Sequence, residues 1–129
     1  MIDTCIFVAL SNSRDVNHDK ARKLISECVY GRYGKPYLSD YIFDETLTTA
    51  FIRTKNHKKS VELGKFILGS QIDLIRIDEE TFQKAWDVYM ENKLSFTDCT
   101  SLALLRLSGL DRLLTFDNEL KKASEGKAL

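Results

Sequence analysis

The chain has one proline, Pro36, among 129 residues, and no stretch rich in Pro, Gly or Ser that could serve as a linker. Internal repeats and low-complexity tracts are lacking too, so a string of modules on flexible joints is excluded. With 43% hydrophobic residues, a chain of this length fits one domain, residues 1–129, burying about two thirds of its unfolded surface. Long apolar runs are missing: the longest, Ile6 to Leu10, falls far short of the roughly 20 residues a bilayer crossing needs. No basic segment precedes it, so a secretory leader is not expected. Cysteine is scarce, and Cys5, Cys28 and Cys99 are odd in number, widely spaced and without a CxxC pair. Reduced thiols used as small packing residues in a cytoplasm are expected from that pattern.

Net charge is missing as well. Nineteen basic residues balance nineteen acidic ones, so any polyanion would be met by a local basic patch and not by a global field. The two histidines, His18 and His57, form no HExxH pair, and there is no GxSxG elbow, GxxxxGK[ST] loop or GxGxxG fingerprint. Zinc hydrolase, serine hydrolase, P-loop NTPase and dinucleotide enzyme all lose support.

What is present is an alternation of strand and helix patterns. Asn17 can cap a helix whose Ala21, Leu24, Ile25 and Cys28 make one apolar stripe, ending near Gly31 and Gly34. A strand is expected at Tyr37–Asp40, then helices over Ile42–Arg53 and Lys58–Leu68. A β-branched segment spans Ile72 to Ile77, and Asp78 can cap a helix whose Phe82, Ala85, Trp86, Tyr89 and Met90 form a stripe expected to lie in the core. Thr97 or Asp98 can cap a largely apolar helix that Gly109 ends. Arg112–Phe116 reads as a last strand before a polar C-terminal helix. This order predicts an α/β fold, with a parallel sheet covered by helices on both faces.

In such sheets, sites lie beyond the carboxyl ends of the strands. Three acids fall at expected strand-to-helix junctions: Asp3 after Ile2, Asp98 after Ser95–Thr97, and Asp117 after Leu113–Phe116. Glu45, in YIFDETLT, can aim at the same edge from the opening of its helix, with Asp44 beside it as a one-residue alternative. Two such charges about 4 Å apart repel by roughly 4 kcal/mol at an effective dielectric of about 20. The acids therefore stay apart or share a cation, and all-oxygen donors suit Mg²⁺, with Mn²⁺ as a substitute. The matching chemistry is phosphodiester hydrolysis. Singly, each acid is explained as a helix cap, a solvated first-turn acid or a terminal surface residue; the four together favour a metal site.

Together, IDTCIFVAL, YIFDETLT, LSFTDCTSLALL and LLTFDNEL resemble the PIN-domain family over nearly the whole chain, most closely its VapC-type toxin ribonucleases. SFTD and LTFD are the most specific pieces. The resemblance implies a three-layer α/β/α fold and an Mg²⁺- or Mn²⁺-dependent endoribonuclease in which Asp3, Glu45, Asp98 and Asp117 are the catalytic, metal-holding acids. Asp3 and Asp98 would contact metal, Glu45 would complete the site or help activate water, and Asp117 would act directly or through water. Thr4, Ser95 and Thr115 match positions of supporting hydroxyls. A homodimer and a cognate antitoxin protein are implied as partners. Cations for the RNA substrate are available in Arg14, Arg53, Lys55, Lys58 and Lys59, although a solvated helix end explains NHKK equally well. A housekeeping RNA-processing nuclease and a non-catalytic RNA- or protein-binding module are the alternatives. One departure stands out: only Met1 and Ile2 precede Asp3, so the first strand is expected to be unusually short unless the start lies upstream.

Overall fold

In the computed structural model, which describes residues 1–129, the elements run α1 (Thr4–Ser11), α2 (His18–Val29), β1 (Tyr37–Ser39), α3 (Asp40–Thr54), α4 (His57–Gly69), β2 (Asp73–Ile75), α5 (Glu79–Glu91), α6 (Phe96–Leu107) and α7 (Asn118–Ala123). β1 and β2 pair in parallel, Tyr37 with Asp73 through Ser39 with Ile75. On the other side of β1 lies Ile2, whose N–H donates to the Tyr37 carbonyl at 2.8 Å. Ile2 bridges in parallel to Leu114, and Leu113 in turn to Ala128. The parallel array is therefore ordered β2, β1, Ile2, Leu113–Leu114, Ala128, with helices on both faces in the expected α/β arrangement.

The strands are shorter than the sequence reading had them. Arg112–Phe116 contributes only bridges at Leu113 and Leu114, and Ile72–Ile77 pairs only over Asp73–Ile75. Beyond that pairing, the Ile77 N–H turns to the Asp40 carboxylate at 3.1 Å, which ends the ladder. No strand precedes Asp98: Ser95 caps α6, and Phe96 and Thr97 are already its first two residues.

Local chemistry sets the helix starts. Ser39 Oγ accepts from the Ile42 N–H at 3.1 Å, Asp78 from Thr81 at 2.8 Å, and Ser95 Oγ from Asp98 at 3.0 Å, each satisfying one orphan donor of a first turn. The cap of α6 is thus Ser95, neither Thr97 nor Asp98. Asn17 holds the cap position of α2 without a side-chain bond, and Gly109, at φ 68, follows the end of α6 in the left-handed region. Gly64 lets α4 approach α3, since a Cβ there would lie 3.3 Å from Leu47 Cδ2.

The core is built around Ile2, Phe7, Leu38, Ile42, Leu102 and Leu113. The α5 stripe is not part of it. Phe82, Trp86, Tyr89 and Met90 are 47%, 45%, 42% and 61% exposed, because Thr81, Ala85 and Val88 take the inward face. Ala85 is fully buried, and so small a residue allows close packing of α5 on α6. The displaced rings instead contact one another and Phe96.

Candidate active site

Asp3 caps α1, and its carboxylate is buried. Oδ1 accepts from the Thr4 N–H at 2.8 Å, while Oδ2 accepts from Thr115 Oγ1 at 2.6 Å and Cys5 Sγ at 3.3 Å. Burial raises its pKa most and the charge of Glu45 adds to that, against the lowering effect of its hydrogen bonds.

Asp98 is the third residue of α6, half-buried, on a helix whose next seven residues are all buried. Its carboxyl is pushed up to about 6, first by burial and then by the charge of Asp3, with Asp117 and Glu45 contributing and Ser95 opposing. Asp117, which is exposed, caps α7 through Oδ1, accepting from Glu119 at 2.8 Å and Leu120 at 3.1 Å. Its own N–H donates to Thr115 Oγ1 at 3.0 Å. Glu45 is half-buried in the second turn of α3, not at its opening, and Asp44 is exposed. Four chain segments thus bring the charges of Asp3, Asp117 and Glu45 within electrostatic reach of Asp98.

None of the four forms an ion pair with a lysine or arginine. Their repulsion is left to solvent or to an added cation. As they stand, no three acidic, cysteine or histidine side chains converge tightly enough to enclose an ion. The donor chemistry fits a hard cation that keeps several waters and takes one or two carboxylates directly. It does not form a closed cage.

The hydroxyls divide. Thr115, buried between Asp3 and Asp117, orients the one and tethers the backbone of the other. Ser95 Oγ caps α6 by accepting from the Asp98 N–H, and its hydroxyl also lowers the pKa of the Asp98 carboxyl. The Thr4 hydroxyl is buried and has no partner within the protein. Cys5 is no mere packing residue, because its Sγ contacts Asp3 and accepts from the Phe116 N–H at 3.2 Å. Its thiol is pushed up to about 12, chiefly by burial and then by the Asp3 charge, so it stays protonated and can donate.

The basic residues are more scattered. Arg14 is exposed in the α1–α2 connection, Arg53 lies in the last turn of α3, Lys55 follows that helix at φ 53, and Lys58 and Lys59 are exposed in the first turn of α4. Glu45 and Arg53 are separated by eight residues of helix, about 12 Å of rise. A cation with no signal in the sequence lies beside the acidic edge: Lys20 Nζ sits 5.4 Å from the centre of the Phe116 ring, next to Asp117. A groove of about 640 Å³ between α1, α2 and α4, lined by Leu10, Ile25, Val29, Leu63 and Phe66 with Arg22, Lys59 and Glu62 among its polar residues, contains none of the four site acids.

The family model described as PIN domain matches residues 1–126. Among curated proteins, a VapC ribonuclease of Archaeoglobus fulgidus is 27% identical over 98% of this chain and 82% of its own length. The 23S rRNA-specific endonuclease VapC20 of Mycobacterium tuberculosis is 26% identical over 95% of this chain and 92% of its own. The crystal structure of Mycobacterium tuberculosis VapC20, described as a sarcin–ricin loop cleaving toxin, superposes with a TM-score of 0.81 at 24% identity, covering 95% of this chain and 92% of that one.

Proposed function

The chain belongs to the PIN-domain family, and from that premise we propose that it is an Mg²⁺- or Mn²⁺-dependent endoribonuclease, the toxin of a toxin–antitoxin pair. The observation that carries this reading is the acidic edge itself. Asp3, Glu45, Asp98 and Asp117 come from four segments, the Asp98 carboxyl is pushed up to about 6 first by burial and then by the charges of Asp3, Asp117 and Glu45, and none of the four is in an ion pair with a lysine or arginine. Toxin and ribonuclease are the activities named in the similar proteins.

Asp3 and Asp98 would hold the cation, with Glu45 and Asp117 completing its surroundings. When bound, the ion neutralises phosphate charge and lowers the pKa of water. Burial of Asp3, together with the Thr4 and Thr115 hydrogen bonds, fixes the direction of its carboxylate before substrate arrives. Glu45 would accept a proton from the attacking water. The water oxygen bonds to phosphorus, the bond from phosphorus to the 3′ oxygen breaks, and that oxygen takes a proton. The products are a 5′-phosphate and a 3′-hydroxyl. Asp117 is exposed and Asp98 and Glu45 are half-buried, so the acidic edge can be reached from solvent by a polymeric substrate.

Two partners follow from the same reading. The groove between α1, α2 and α4 is apolar, with Arg22 and Lys59 outnumbering its one acid, Glu62, and fits an amphipathic helix of a small antitoxin. The exposed rings of α5 supply a self-complementary apolar face for a homodimer. The nuclease reading is tested with Asp98→Asn in a preparation free of host nucleases. Loss of Mg²⁺-dependent cleavage of total RNA is expected, and full retention would overturn it.

A further inference from the structure

The three contacts of the Cys5 thiol have no counterpart in the chemistry assigned so far. It faces Asp3 Oδ2 at 3.3 Å, accepts from the Phe116 N–H at 3.2 Å and lies 3.5 Å from Thr115 Oγ1. Thr115 runs a parallel relay, donating to the same Oδ2 and accepting from the Asp117 N–H. Two side chains, one on α1 and one on the Leu113–Thr115 segment, thereby fasten the turn that carries Asp117 onto a single carboxylate oxygen of Asp3.

An ionised carboxylate offers about four acceptor directions. Here Oδ2 takes two donors and Oδ1 one, so a single direction, on Oδ1, remains open. The neighbouring Thr4 hydroxyl, buried and unpartnered, is a second group left over for a ligand.

We propose that Cys5 is a positioning residue: its thiol latches the 115–117 turn to Asp3 Oδ2 and thereby presents Oδ1 to the divalent cation. The inference rests on the cation reading of the acidic edge. A latch rather than a packing role makes a specific demand, since the group at position 5 must both donate and accept. Serine satisfies it and alanine does not, although alanine fits the space.

Mn²⁺ binding is measured by electron paramagnetic resonance on the full-length wild type, Cys5→Ala and Cys5→Ser. Loss of a hydrogen bond to a charged group, with a thiol as the weak donor, predicts about tenfold weaker Mn²⁺ binding in Cys5→Ala. Cys5→Ser should stay within about threefold of wild type. Equal affinity in wild type and Cys5→Ala, or equal weakening by Ala and Ser, overturns the latch while leaving the cation reading standing. Failure of the wild type to bind Mn²⁺ overturns both. If Cys5→Ala does not fold, the S–H stretching band of the wild type decides, assigned by its loss in Cys5→Ser. Mn²⁺ should shift that band to higher frequency as the ion draws charge from Asp3, and an unmoved band refutes the latch.

Discussion

Replacing Asp98 by Asn removes a charge while keeping the side chain's shape, and the folded protein without metal should become more stable. The Asp98 carboxyl is pushed to about 6 from an ordinary 3.8 by burial and by Asp3, Asp117 and Glu45. The folded state therefore holds this proton more tightly than the unfolded chain does. Between these two values the folded state binds more protons, so stability falls as pH rises through the window. Below it both states are protonated and no penalty exists; above about 6 the penalty is complete. Two pKa units at roughly 1.4 kcal/mol each set a ceiling of about 3 kcal/mol. Asp98 is only half-buried, and solvent screening reduces the expected figure to about 1.5 kcal/mol.

Thermal unfolding in chelator should show the difference directly. At pH 8, Asp98→Asn is expected to melt about 5 °C above wild type, and at pH 4 the two should coincide. Millimolar Mn²⁺ should narrow or reverse the gap at pH 8, because only the wild type retains this carboxylate for binding. A variant no more stable than wild type at pH 8 in chelator would refute the repulsion argument. An advantage equal at pH 4 and pH 8 would refute the assignment of the effect to charge.

The same titration governs metal binding. Because the carboxylate must be ionised to bind, the apparent Mn²⁺ affinity of the wild type should fall up to about tenfold per pH unit below about 6, measured by calorimetry; a flat profile between pH 5 and pH 7 would exclude Asp98 as a ligand. Trp86→Glu places a charge on the exposed ring face of α5. Sedimentation should find wild type as a dimer and this variant as a monomer with unchanged helix content, and a dimeric Trp86→Glu would move the interface elsewhere.

Helices were legible because their signals are local. The Ala21, Ile25, Cys28 stripe of α2 and the Asp78 cap of α5 are set by residues three to seven apart, and both stand in the structure. The α5 rings show where such reasoning stops. Periodicity reports that one face is apolar but not what covers it, and the packing of α5 on α6 went to Ala85 and Val88. The strands were overextended because strands buried on both faces show no alternation to mark where pairing stops. The acids were legible as positions in four motifs. The contacts that aim them were not: Cys5 and Thr115 are 110 residues apart, and no pattern within either motif announces that they meet.

That distant contact also bears on how Asp3 is held when Ile2 alone pairs ahead of it. A single paired residue, Ile2, cannot by itself hold Asp3 in place, and a frayed strand would leave the carboxylate free to swing. The array compensates from both sides. Ile2 donates to Tyr37 on one flank, while on the other Asp3 donates to Leu114 and Leu114 to Met1 at 2.9 Å each. The side chains then continue where the backbone ladder stops, with Thr115 and Cys5 taking Asp3 Oδ2 one residue beyond the Leu114 bridge. The rigidity that a longer strand would provide is supplied by hydrogen bonds to the carboxylate itself. Position and ligand geometry are therefore set by the same bonds, and weakening either relay should disturb the metal site before it disturbs the fold.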